Sequence, residues 1–207
     1  MWPTNEEMQE LLDKAKTGDP AAVERLLSQY REPLRRVIDL RLDPALARRV
    51  DASDIVQDVL LEANQRLIDY LRTPNMPFHL WLRHLAQDRI IDTHRQHRLA
   101  QRRSIDREQQ INRPAWAEES SVQLAAQLIS LDRSPESVVI RNELQRRLEL
   151  AMLELEDDDR DIIQMRHHEQ LSNQEVATVY GLSEAAASMR YLRAIRKLRA
   201  LLVPDAE

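Results

Sequence analysis

Only two of the 207 residues are glycine, and that scarcity narrows the fold more than any other feature. Tight β-hairpins and phosphate-cradling loops need residues that enter the left-handed backbone region. Leu, Ala, Arg, Glu and Gln are abundant instead, and all of them favour helix. The sequence therefore predicts an all-α fold. Its length suits one large domain or two small ones. Cysteine is absent, which removes disulfides and thiolate metal sites and fits a reducing, cytoplasmic compartment. No apolar run approaches the ~20 residues of a membrane span. The N-terminus lacks the basic segment of a signal peptide.

Hydrophobic periodicity divides the chain. Thr4 and Glu7 have capping-box spacing, and Met8, Leu11, Leu12 and Ala15 then mark one helix face. Gly18 should stop that helix. Asp19-Pro20 should start another, with Asp as cap and Pro in the first turn. Its stripe runs through Val23, Leu26, Leu27, Tyr30, Leu34, Val37 and Ile38, with a kink or interruption expected at Pro33. A third helix is expected over 51–67 with Asp51 as cap, and a fourth over 78–99. Together these predict a first helical domain at residues 5–100. Residues 101–133, rich in Arg, Gln, Ser and Glu, read as a linker with a short helix around 122–129. Ser134-Pro135 reopens regular structure. Ile140, Leu144, Leu148, Ala151 and Leu155 form a further stripe, followed by helices at 158–168, 173–180 and 184–202. The second domain is thus expected at 134–203.

The sharpest local pattern lies there. Ser172 and Glu175 form a capping box, Ala177 permits close crossing, Gly181 suits a left-handed turn, and Ser183 can cap the next helix. These are the parts of a helix-turn-helix. At 100° per residue, Ala187, Tyr191, Ala194, Ile195, Leu198 and Leu202 face inward. Ala185, Ala186, Met189, Arg190, Arg193 and Lys197 face outward. A recognition helix reads bases near its N-terminus and grips phosphates further along. Ala185, Ala186 and Met189 are therefore expected close to the groove, where thymine methyls lie. Arg190 and Arg193 could reach bases or phosphates, and Arg196 and Lys197 suit phosphates. The plainer alternative is a basic, solvated helix on an ordinary bundle.

The net charge of −5 does not decide against nucleic acid, because charge is distributed unevenly. Residues 183–200 carry a local charge of +4, as do residues 83–103. Acid gathers at 51–62 and 154–161. On the third helix, Asp51, Asp54, Asp58 and Glu62 lie along one side. A solvated face aided by the helix dipole would account for them. The histidines at 84, 94, 97, 167 and 168 lack convincing metal-ligand spacing. No nucleotide-loop, zincin or nucleophile-elbow pattern occurs, so neither an enzyme nor a cofactor is expected.

Several segments, in order, resemble the extracytoplasmic-function group of the sigma-70 family. Asp51-Ala52-Ser53-Asp54-Ile55-Val56-Gln57-Asp58-Val59-Leu60 is similar to that family's D-A-E-D-L-V-Q-E-V-F. Phe78-His79-Leu80-Trp81-Leu82, followed by Ala86, Asp88, Ile91, Asp92 and Arg95, resembles F-x-x-W-L…A-x-N-x-x-I-D-x-x-R. Leu155 to Arg160 is similar to L-P-x-x-x-R. Residues 165–172 match L-R-x-x-E-G-L-S loosely, and Arg193-Ala194…Lys197-Leu198-Arg199 follows the helix-turn-helix. The likeness spans about residues 8–100 and 136–202. Departures are Asp88 for Asn, Glu156 for Pro with an acidic turn at 157–159, and an apolar Ala185-Ala186-Ala187-Ser188-Met189.

The resemblance implies a non-enzymatic transcription initiation factor that works with core RNA polymerase on a two-part promoter. It implies that Asp51, Asp54, Gln57, Asp58 and Glu62 dock on the β′ clamp helices, with further contact on the β subunit. The −10 element would meet Arg72, Asn75, Arg83, Gln87, Asp88, His94, Arg95 and Arg98, the loop at 72–76 capturing an unstacked base. The −35 element would meet Ser183, Ala185, Ala186, Met189, Arg190, Arg193, Arg196 and Lys197. An anti-sigma factor is a further implied partner. The offset of Trp81 from the polar stripe points to the core rather than to base stacking, and so few aromatics imply modest melting power. The competing reading is an ordinary helix-turn-helix regulator that binds operator DNA without polymerase.

Overall fold

The computed structural model describes residues 2–3, 6–42, 44–101, 115–129 and 138–203. The chain divides into two compact units, residues 1–112 and 113–207. All regular structure among the described residues is helical.

The first unit holds α1 (Glu6–Lys16), α2 (Pro20–Gln29), α3 (Arg31–Arg41), the single turn α4 (Pro44–Ala47), α5 (Ala52–Arg72) and α6 (Phe78–Gln101). Gly18, at φ 84°, ends the turn after α1. The Asp19 side chain then accepts from the N–H groups of Ala21 and Ala22 at 2.9 and 3.3 Å. Thr4, expected to cap α1, lies outside the described residues. The stripe expected to kink at Pro33 is two helices meeting at Tyr30. The physical reason is proline's missing N–H and its ring, which would clash with the carbonyl four residues back. Breaking at Tyr30 puts Pro33 in the first turn of α3, where no N–H is needed.

Leu26, Leu34, Ile38, Val56, Leu80 and Leu82 are fully buried and form the centre of this unit. Each such side chain contributes ~1.5–3 kcal/mol by leaving water. An aromatic cluster closes one end. Tyr30 meets Phe78 edge-on with centroids 5.2 Å apart, and Tyr70 stacks on Trp81 at 4.6 Å. Trp2 is also buried, beside Tyr30 and His79. Trp81 is thus a core residue, as its offset implied. The Tyr70 hydroxyl donates to the Met76 carbonyl at 2.9 Å, which fastens the loop between α5 and α6.

The second unit holds α7 (Ala115–Leu128), α8 (Val138–Glu154), α9 (Asp157–His167), α10 (Asn173–Tyr180) and α11 (Glu184–Leu202). Here α7 contains the short helix expected around 122–129 and begins earlier, at Ala115, within what reads as linker. Val122, Leu124, Ala125, Ala126 and Leu128 are buried, and the Ser120 hydroxyl donates to the His167 carbonyl at 2.9 Å. Its apolar residues are largely alanines, interrupted by Gln123 and Gln127, so no regular stripe marks the face that covers α8. The rest of the expected linker, residues 102–114 and 130–133, and the Ser134-Pro135 start lie outside the described residues. Leu144, Leu148, Ala151 and Leu155 are buried as the stripe requires, whereas Ile140, one turn earlier, is exposed.

Candidate nucleic-acid interface

The helix-turn-helix forms through local hydrogen bonding that its sequence specifies. The Ser172 N–H donates to Glu175 Oε2 at 2.7 Å, and the Glu175 N–H donates to Ser172 Oγ at 3.2 Å. This reciprocal box opens α10. Gly181 closes it at φ 62°, ψ 33°, and the Leu182 N–H returns to the Ala177 carbonyl at 2.9 Å. A Cβ at Gly181 would meet nothing within 4 Å, so glycine is required by backbone conformation and not by crowding. Ser183 then caps α11, accepting from the Ala186 N–H at 3.2 Å. Its hydroxyl thereby serves the helix end as well as lying near the outer face.

A single arginine fixes the turn before this pair. Arg160 Nε donates to the Met152 carbonyl at 2.7 Å, and Nη2 donates to those of Leu153 and Leu155 at 3.2 and 2.8 Å. These satisfy carbonyls that the end of α8 leaves orphaned. On the other side, Arg166 donates to the Leu171 carbonyl. His167 Nε2 lies 2.7 Å from the Tyr191 hydroxyl, tying α9 to α11. Burial, and then the Arg166 charge, hold the His167 imidazole below its usual range.

Helix α11 packs as its periodicity predicts: Ala187, Ala194, Leu198 and Leu202 are buried, and Tyr191 and Ile195 are half-buried. Ala185, Ala186, Met189, Arg193 and Arg196 are exposed. Sequence reasoning missed Leu192, which is 42% exposed beside Met189 at 53%. Its spacing, seven residues from Ala185 and three from Met189, was the available signal.

Arg190 and Lys197 turn aside from this face. Arg190 pairs with Asp158, and its guanidinium sits 4.6 Å from the centre of the Tyr180 ring. Lys197 Nζ lies 2.5 Å from Asp159 and 3.5 Å from Glu156. The bond to Asp159 raises the lysine above its usual range. The expectation of two cations simply facing outward is corrected by this pairing. Its cause is the acidic first turn of α9, over 30 residues away in sequence and adjacent in space.

In the first unit, Asp51 caps α5 and accepts from the Ser53 N–H at 2.8 Å, which lowers its carboxyl pKa. Asp54, Gln57 and Asp58 are exposed along the outer side. Glu62 is half-buried and engaged, accepting from Arg66 at 2.8 Å and from Arg89 at 3.4 Å. Leu61 and Ile68, seven residues apart and each more than half exposed, lie among these acids. They were not anticipated.

The polar stripe expected on α6 is interrupted. Arg83 is only 3% exposed, which corrects its placement on an open surface. Gln87 is half-buried and accepts from Arg41 Nη1 at 3.1 Å. Gln87 thereby faces α3. Buried Ile90 shares the angular position of both on α6, and that was the clue in the sequence. Asp88 and Arg95 are exposed and His94 is half-buried; the side chain of Arg98 lies outside the described residues. In the loop before α6, Asn75 is exposed, and Arg72 is exposed with Asp69 at 3.5 Å. No helix among the described residues is long and apolar enough to cross a membrane.

Comparison with known proteins agrees with this geometry. The family model described as sigma-70, region 4, matches residues 151–200, from the end of α8 through α11. The RNA polymerase sigma-H factor of Pseudomonas aeruginosa is 24% identical over 97% of this chain and 96% of its own. The ECF RNA polymerase sigma factor BldN of Streptomyces coelicolor is 27% identical over 96% of this chain and 67% of its own. Among solved structures, CnrH in complex with the cytosolic domain of CnrY has a TM-score of 0.57 at 22% identity, covering 97% of this chain and all of that one. RpoE in complex with the anti-sigma factor NepR, from Bartonella quintana, has a TM-score of 0.55 at 19% identity, covering 88% of this chain and 98% of that one. Those structural likenesses speak for the fold, and the sequence relatives and family model speak for descent. Residues 151–200 match region 4 of the sigma-70 family, and over nearly its whole length the chain is similar to sigma factors, one of them of the extracytoplasmic-function group.

Proposed function

We propose that this chain is a sigma factor that binds core RNA polymerase and directs transcription initiation at promoters with −10 and −35 elements. The observation that carries the reading is the helix-turn-helix, whose second helix leaves Ala185, Ala186, Met189, Leu192, Arg193 and Arg196 uncovered for a DNA groove. Apolar groups at the start of such a helix suit base edges, and arginines further along suit phosphates.

The exposed side of α5 is the polymerase-docking surface in this reading. Asp54 and Asp58 supply charge that orients a basic partner, while Leu61 and Ile68 supply apolar contact that holds it. Asp51 and Gln57 extend that surface, and Glu62 supports it through Arg66 and Arg89. In the −10 reader, Arg72, Asn75, Asp88, His94 and Arg95 are the usable side chains among the described ones, with Arg98 kept in the set. Gln87 supports the helix from its α3 side, and Arg83 is buried rather than open to DNA. With Trp81, Tyr70 and Phe78 packed together, little aromatic surface remains to stack on a melted base. Capture of that base must offset a few kcal/mol of unstacking through polar contacts in the loop, which favours strict promoter choice. The chain catalyses nothing itself and acts in the cytoplasm with core polymerase. An anti-sigma factor, of the kind seen with RpoE, is its expected keeper.

Binding of the labelled full chain to purified core polymerase tests the docking surface. Tight binding that weakens on Asp58→Lys, with the helical circular dichroism unchanged, is the expected result. Absence of binding by the folded wild-type chain would leave an ordinary DNA-binding regulator.

A further inference from the structure

We propose that the acidic first turn of α9 is an internal competitor for promoter phosphates, which sets how strongly α11 grips DNA by occupying Arg190 and Lys197. This rests on the reading of α11 as a promoter-binding helix and goes on to name what regulates its affinity.

Glu156, Asp157, Asp158 and Asp159 stand in succession at the start of α9. One carboxylate would suffice to complement the helix dipole. Here the acids are distributed among different partners. Asp157 meets Arg160 at 3.1 Å within its own turn. Asp158 takes Arg190, while Asp159 and Glu156 share Lys197. Arg190 and Lys197 are seven residues apart, so they project from one side of α11, and that side faces α9. The Tyr180 ring backs Arg190, and the Tyr180 hydroxyl donates to Asp161 at 2.9 Å, so Arg190 is held on two sides. Arg193, Arg196 and Arg199, by contrast, have no carboxylate partner among the described residues.

DNA approaching α11 therefore meets two kinds of cation. Three arginines are available at once. The other two must be taken from carboxylates. Asp158 and Glu156 are themselves 71% and 81% exposed, so they also repel phosphates within a Debye length of ~8 Å at physiological salt. The turn lowers affinity twice, by holding cations and by adding negative charge beside the groove-facing surface.

The test uses the full chain bound to core polymerase, on a duplex carrying the upstream element that the wild-type holoenzyme selects from a random library. Affinity is measured against salt for Asp158→Asn, Glu156→Gln and Asp159→Asn. Asp13→Asn, on α1, makes the same charge change in the other unit. Each neutralised acid of the turn should tighten binding about two- to fivefold, the range of an exposed ion pair released to a new partner. The slope of log affinity against log salt should steepen by up to ~0.9 for each cation freed to a phosphate. Asp13→Asn should do neither. Arg190→Ala should weaken binding more in the Asp158→Asn background than in the wild type. Asp159 is buried, so its variant could unfold; Asp158→Asn and Glu156→Gln, at exposed positions, decide the matter alone. Unchanged or weaker binding by those two, with wild-type DNA binding intact, would overturn the inference and leave the promoter reading standing. Failure of the wild-type holoenzyme to select any upstream element would remove the reading and the inference together.

Discussion

Arg160→Ala should loosen the helix-turn-helix without touching its DNA-facing residues. The guanidinium donates to three carbonyls at the end of α8, those of Met152, Leu153 and Leu155. Each charge-assisted bond of this type is worth ~1 kcal/mol net, or somewhat more when the acceptor would otherwise be left buried. The arginine side chain is about one quarter exposed, so water can replace part of what is lost. The expected loss is about 2 kcal/mol, confined to the second unit. Amide hydrogen exchange on the full chain reads this locally, because α9–α11 should open ~30-fold more often for a loss of that size. Arg160→Lys should recover only part of the protection, since an ammonium lacks the fork that spans several carbonyls. Asp157→Asn should change little, because that carboxylate is almost fully exposed. Unchanged exchange in α9–α11 for Arg160→Ala, or an equal effect from Asp157→Asn, would refute the assignment of the carbonyl bonds as the source of stability.

Gly181→Ala should cost about 1 kcal/mol, from the left-handed backbone alone, with Gly181→Asn milder. A denaturant midpoint that falls as far for Asn as for Ala would count against that cause. The folded-state pKa of His167 is depressed below its unfolded value. Between the two, the unfolded state binds more protons, so the second unit should lose stability as pH falls through the ordinary histidine range. His167→Gln should flatten that dependence in urea midpoints taken across it. On α5, Asp58→Lys should reduce affinity for core polymerase about tenfold, mainly through a slower on-rate, whereas Leu61→Ala should speed dissociation; surface plasmon resonance separates the two.

Much of this architecture follows from local signals. The bounds expected for α10 and α11 coincide with those observed because capping and the Gly181 turn are decided within four residues of each boundary. The inward face of α11 was legible for the same reason: a 100° periodicity needs no knowledge of the partner helix. What depended on distant chain was not legible. Arg83 looked solvent-facing yet is buried by residues distant in sequence, although Ile90 in the same stripe hinted at cover. Only the second half of α7 was legible, as the short helix around 122–129, because the segment before it is polar and no regular apolar stripe runs through its alanines. The pairing of Arg190 and Lys197 joins positions 32 and 38 residues from their acids, beyond the reach of any local pattern.

The most direct test is transcription in vitro with purified core polymerase and a library of linear promoter fragments, with and without this protein. The account predicts transcripts that depend on the chain and start downstream of a shared two-part motif. Changes at Met189 and Arg193 should alter or weaken use of the upstream part alone. A folded chain that binds core polymerase yet yields no new start sites, or start sites without an upstream element, would contradict it.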